Sequence, residues 1–200
     1  ADLRRCRGGG AKLGGASLRA ANASGADFTA AEAEGSAWHA AEVDGANFGG
    51  GRLMSSQWLA ARASGATFEN ADLHDANLRR ACLDGSNLVG AKFGAAELAV
   101  ANLENTIAHG AFFEDVKAVG TRFCKADLKE ALFRNACLDE ANFDGADLSG
   151  ATFRGCSLAR ASMDAATLAE AELQDSSLES ASLSRALLPG ARLLQLRLVG

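Results

Sequence analysis

A large apolar residue returns every fifth position along this chain. Cut at every fifth residue, the 200 residues make 40 pentads with no insertion, deletion or change of register. The third place holds 21 Leu, 9 Phe, 2 Trp, 1 Val and 1 Met, so 34 of 40 are large and apolar. The first place is small, with Ala in 29 of 40. The other places are mostly polar, charged or Gly. Helices repeat their apolar face at three- and four-residue steps and strands at two, so a step of five fits neither. It predicts a short extended leg and then a corner. The first and third residues of a leg share a face, because alternate strand side chains do. The corner belongs near the fifth place, which holds 16 of the 22 Gly together with Asn70, Asn105 and Asn135. Gly and Asn tolerate the positive φ that several turns demand.

The large rings predict the number of legs per coil. Phe28, Phe48 and Phe68 are twenty apart, as are Phe93, Phe113, Phe133 and Phe153. Phe123 and Phe143 follow the same step, and so do Trp38 and Trp58. Four legs per coil would stack each run as a ladder of like rings at roughly 4.8 Å, the strand-pairing distance. Large rings would also meet small neighbours, as in the coil that combines Trp38 with Ala23, Phe28 and Ala33. The expectation is an all-β, four-sided parallel β-helix of about ten coils, roughly 48 Å long.

Pentads such as ADLHD, ANLRR, ANLEN, ADLKE, ANFDG and ADLSG carry a resemblance to the pentapeptide-repeat family, whose unit is commonly A(D/N)LXX. The likeness spans the whole chain. It implies a right-handed quadrilateral β-helix; the handedness comes from the resemblance and not from the spacing.

Composition narrows the function. A formal net charge of −5 over 200 residues offers no basic footprint for direct nucleic-acid binding. No apolar run reaches eighteen residues, so no membrane span is expected, and no signal- or transit-peptide pattern opens the chain. Cys6, Cys82, Cys124, Cys137 and Cys156 form no CxxC pair and read as reduced thiols in a bacterial cytoplasm, with a translocated effector as the alternative. Residues 1–200 read as one β-helix domain, cut from a longer polypeptide or capped by a partner, because stacked coils expose strand edges at both ends.

Catalytic patterns are weak. His39, His74 and His109 are 35 residues apart and fall on different sides of the rod, too dispersed to share a metal ion. Carboxylate clusters (Glu32 with Glu34, Asp72 with Asp75, Asp139 with Glu140) read as a solvated wall. The run RGGGAKLGG lacks the spacing of a phosphate loop. An interior filled by side chains leaves no pocket. No enzyme, cofactor or metal is expected.

That leaves the outer wall. Sorting pentads by side makes the second side the most acidic, at 6 acids to 2 bases, with Asp127, Glu130, Asp147 and Glu170 in its C-terminal half. Residues 105–120 break the pattern. Ala108 and Ala118 stand where Leu or Phe belongs, Ile107 and Phe112 occupy outward places, and Val116 replaces a small residue. The favoured reading is a local bulge that turns the large residues inward. The other is an exposed docking patch of Ile107, Phe112 and Leu132. The last coil is rich in apolar residues, including Leu187, Leu194 and Val199, and is a candidate for docking or end-to-end self-association.

The function expected is a non-catalytic protein-interaction rod within a larger bacterial protein. The resemblance permits a secretion-system setting. It also implies an alternative, since some members of the family resemble B-DNA and bind and protect gyrase. Against that alternative stand the mild charge, the lack of projecting loops and the lack of a C-terminal dimerising helix.

Overall fold

The structure is a computed structural model that describes residues 1–198. It is an all-β parallel solenoid. From Asp2 to Arg197 the bridges join residues twenty apart, all parallel. The twenty-residue coil read from the rings is therefore the coil of the molecule. Among the described residues three-residue strands form only on the third side in its C-terminal half: β1 (Phe112–Glu114), β2 (Leu132–Arg134), β3 (Thr152–Arg154), β4 (Glu172–Gln174) and β5 (Arg192–Leu194). They make one five-stranded sheet in chain order.

One bonding scheme repeats along the rod. The third-place N–H donates to the second-place carbonyl of the next coil, as from Phe28 to Asn47 at 2.7 Å. The fifth-place N–H reaches the fourth-place carbonyl of the next coil, as from Ala30 to Gly49 at 2.8 Å. Corners close by a bond from the next first-place N–H to the third-place carbonyl, as from Ala31 to Phe28 at 3.0 Å. Every fifth place from Arg5 to Gln195 has positive φ, including 24 residues that are not Gly. That conformation costs a non-glycine residue about 1 kcal/mol. The ladder bond its N–H makes to the next coil offsets the cost.

First- and third-place side chains fill the interior, and they are buried from the second coil to the ninth. The predicted ladders are present. The planes of Trp38 and Trp58 lie 3° apart with centroids 5.0 Å apart. Phe93, Phe113, Phe133 and Phe153 stack at 5.0, 4.8 and 4.6 Å. Each indole N–H is satisfied within its own pentad: Trp38 Nε1 donates to Ser36 Oγ at 2.8 Å and Trp58 Nε1 to Ser56 Oγ at 2.6 Å. Both Trp pentads begin with Ser, a detail visible in SAWHA and SQWLA.

The bulge expected at residues 105–120 does not form. Ile107 bridges Asn87 and Asp127 in unbroken register, and Phe112 pairs with Lys92 and Leu132. Ile107 stays 51% exposed and Phe112 42%. Ala108, Ala118 and Val116 are buried along with Phe113, so no gap opens that would draw the outer residues in. What changes at Val116 is the corner. Between the third and fourth sides, the closing bond is present at Ala16, Ser36, Ser56, Ala76 and Ala96 and absent at Val116, Ala136, Cys156, Ser176 and Leu196. The corner is open from Val116 onward, at Ala136 as well as at the larger residues, and the leg before each open corner is a true strand.

Candidate docking surfaces

The five-stranded sheet gives the third side a flat outer face. Its second places carry Phe112, Leu132, Thr152, Glu172 and Arg192, and its fourth places carry Glu114, Arg134, Arg154, Gln174 and Leu194. Phe112 and Leu132 are register partners, so two large apolar side chains stand next to each other on the wall. Lys92 precedes Phe112 in the same column. Arg134 and Arg154 are register partners beside them. Arg134 reaches Glu114 at 3.6 Å. Next to these arginines a surface cavity of about 420 Å³ is lined by Arg134, Asn135, Arg154, Gly155 and Asp175.

Ile107 lies on the second side, one corner away from Phe112, with His109 between them in sequence. Sequence reasoning missed three further exposed apolar residues. Leu59, Val100 and Val119 are exposed at 37%, 60% and 37%, all at the corner between the fourth and first sides. They occupy fourth and fifth places, where strand alternation does not fix which way a side chain points. At the C-terminal coil Leu187 is 59% exposed and Leu194 37%. Leu178, Leu183, Leu188, Leu193, Leu196 and Leu198 line an apolar cavity of about 410 Å³. Val199 lies outside the described residues.

Titratable groups offer little chemistry. His74 Nδ1 lies 2.6 Å from Asp72 Oδ1. Burial works to raise the Asp72 carboxyl, but hydrogen bonds from the His74 ring and backbone N–H, with Lys92 nearby, hold it below the usual carboxylate value. Among the described residues no hydroxyl or thiol bonds to this pair. Burial also lowers the His39 pKa, helped by Arg19. Among the described residues no three His, Cys, Asp or Glu side chains converge as metal ligands. All five Cys are free thiols, and burial pushes Cys156 up to about 11.

Comparison with known proteins places this architecture. The family profile described as "Pentapeptide repeats (8 copies)" matches residues 1–36, 60–94 and 146–185, and "Pentapeptide repeat region" matches residues 86–163. The chain belongs to the pentapeptide-repeat family. Solved structures with the same fold include full-length QnrB1, a plasmid-mediated fluoroquinolone resistance protein. It is 19% identical over 84% of this chain and 91% of its own, with a TM-score of 0.61. A trypsin-treated QnrB1 variant is 22% identical over 94% and 86%, at 0.53. HetL, a pentapeptide repeat protein involved in heterocyst differentiation regulation from Nostoc sp. strain PCC 7120, is 25% identical over 88% and 86%, at 0.42. No curated protein matches the chain.

In this pentapeptide-repeat rod the acidic side is partly neutralised from within. Lys129 Nζ sits 3.2 Å from Asp127 and 3.1 Å from Asp147. Glu130 lies 3.8 Å from His109 Nε2, and Glu170 lines a shallow cavity with Lys129 and Glu130. Magnitude decides how DNA-like this is. B-DNA carries one charge per ~1.7 Å of axis, so a duplex as long as this rod, ~48 Å, carries roughly 28. The whole chain has a formal net charge of −5.

Proposed function

We propose that the chain is a non-catalytic rod that presents its outer wall to another protein, as a module of a larger bacterial polypeptide. The observation that supports this reading most is the set of outward apolar side chains on a polar wall, Phe112 above all, over an interior already filled. A buried core does not need them and solubility opposes them, so a partner is the economical account. The family's regular coils suit the role, since stacked repeats present long flat surfaces. The C-terminal coil is a second contact point in this proposal, toward a capping segment or a further copy. No helix among the described residues is long and apolar enough to cross a membrane.

Photo-crosslinking in the source cell tests the proposal. A benzophenone side chain placed singly at an outward position of each side should capture one protein from one or two sides. No adduct from any side overturns the reading. A second reading, binding to gyrase in place of DNA, is favoured by the fold likeness to QnrB1 and by the acidic second side. The low charge density weighs against it. A supercoiling assay with added rod decides: no inhibition and no drug protection at micromolar rod ends it.

A further inference from the structure

The third side carries a more specific arrangement, whose proposed role rests on the interaction-rod reading. Phe112 and Leu132 are neighbours on the sheet's outer face. Three bases surround them: Lys92 in the preceding coil of the same column, Arg134 two residues along the strand from Leu132, and Arg154 in the next strand. Among the described residues neither Lys92 nor Arg154 makes a salt bridge, a state they share with other wall bases such as Arg79, Arg80 and Lys125, while Lys117, Arg122, Lys129, Arg160 and Arg192 each hold a carboxylate within 3.3 Å. Arg134 holds Glu114 only at 3.6 Å. The nearby countercharges are Asp72, which is the register partner of Lys92, Glu114 beside Arg134, and the rim residue Asp175.

Two arginines in register carry an electrostatic cost, because like charges directly opposite on a sheet destabilise it. On the fourth side Glu97 pairs with Lys117 and Glu140 with Arg160, and the like-charged register pair Asp127–Asp147 of the second side has Lys129 between its carboxylates. Beside the Arg134–Arg154 pair the corner is open, and Asn135, Gly155 and Asp175 line the same surface cavity as the two arginines. Arginine forks bind carboxylates with two parallel hydrogen bonds. An apolar pair ringed by bases matches an apolar side chain flanked by acids.

We propose that this face docks an acidic–apolar segment of a partner protein. The segment lays large apolar side chains on Phe112 and Leu132 and carboxylates on Arg134, Arg154 and Lys92. It lies against the sheet's face and adds no strand, because the strands that carry these residues already have neighbours on both sides.

A fluorescein-labelled peptide of alternating Glu and Leu provides the probe, read by anisotropy at 150 mM salt, a screening length of about 8 Å. The same peptide with Lys for Glu, and with Ser for Leu, serves as control. The Glu–Leu peptide should bind and both controls should bind about tenfold more weakly or not at all. Arg134→Glu with Arg154→Glu should weaken binding about tenfold, and Phe112→Ser likewise. Arg154→Gln separates site from scaffold: binding should fall while the thermal midpoint holds or rises, since a like-charge contact is relieved. Binding that ignores these substitutions, or equal binding of the Lys peptide, overturns the proposal. So does dimerisation of the rod that Arg154→Glu abolishes, because the occupant is then a second copy. A crosslinked partner on another side, with no peptide binding here, sinks this inference and leaves the interaction-rod reading standing.

Discussion

Ser36 and Ser176 hold the same place in the pentad and line the same corner of the rod, seven coils apart. Their bonds differ. Ser36 Oγ donates to Ala33 O of its own corner at 2.6 Å and accepts the Trp38 indole N–H. Ser176 Oγ is 3.4 Å from Phe153 O in the preceding coil and 3.0 Å from Gln174 O, and it accepts the Cys156 backbone N–H at 3.1 Å. The first corner is closed and the second open. Cys156 repeats the second pattern one coil earlier, with Sγ 3.4 Å from Phe133 O. The lesson is that a pentad's geometry is set with its stacked neighbours. Ala136 is small enough for a closed corner, yet it sits open between Val116 and Cys156. Once a corner opens, its freed carbonyls need partners, and polar first-place side chains supply them.

The largest test of this comparison falls on the ring column beside the open corner. Phe133 lies between Phe113 and Phe153 with no exposure, and its carbonyl is one the open corner frees. Phe133→Ala should cost about 3–5 kcal/mol, read by urea denaturation. A loss under about 1 kcal/mol would mean that the rings do not carry the stack.

The serines come next. Ser36→Ala strands the Trp38 indole N–H in the core and should cost about 1–3 kcal/mol. Ser86 Oγ is buried with no hydrogen-bond partner among the described residues, so Ser86→Ala should be neutral or stabilising in the same assay. Equal losses at the two positions would mean that the indole bond has no special weight.

These contrasts show what the residues made legible. The lap of twenty, the four ring columns and the inward first and third places could all be read from spacing, because an enclosed prism leaves large side chains few places to go. The open corner could not. Val116 stood out as a misfit, but its effect runs through backbone bonds between coils, and pattern reasoning assigned the strain to the wrong residues by moving Ile107 and Phe112 inward. The wall was read unevenly for a related reason. Phe112 and Leu132 sit at the second place, where strand alternation makes orientation plain. Leu59, Val100 and Val119 sit at corner places, where a side chain's exposure depends on how the turn aims it. The acidic side was legible as a count, whereas Lys129 bridging two of its carboxylates required coordinates.

Thiol chemistry gives a smaller contrast between the two stretches. Cys156 is 3% exposed, and burial raises its pKa to about 11. The protonated form therefore dominates at pH 8, and thiolate is the reactive species. With a thiol reagent at that pH, Cys156 should stay unmodified in the folded rod and react only on unfolding, at a rate that tracks global opening. Half-buried Cys6, at a closed corner of the first coil, should react without unfolding. Native-state modification of Cys156 as fast as that of Cys6, followed by peptide mass mapping, would mean that the open corner breathes.

Val116→Ala asks whether one residue opens the corner or the stack does. Removing two buried methyl groups costs roughly 1.6 kcal/mol at 0.8 per carbon, while a regained turn bond to Phe113 O contributes about 1. The net change should stay below about 1 kcal/mol, so stability alone is a poor readout. Amide exchange is better, because the N–H of residue 116 has no backbone acceptor now and would gain one. If the local residue decides, exchange at that amide slows while Cys156 and its neighbours remain as they are, and the boundary between closed and open corners moves up by one coil. Unchanged exchange would place the cause in the coils above, with Cys156 and Leu196 holding the column open and Val116 merely accommodated by it.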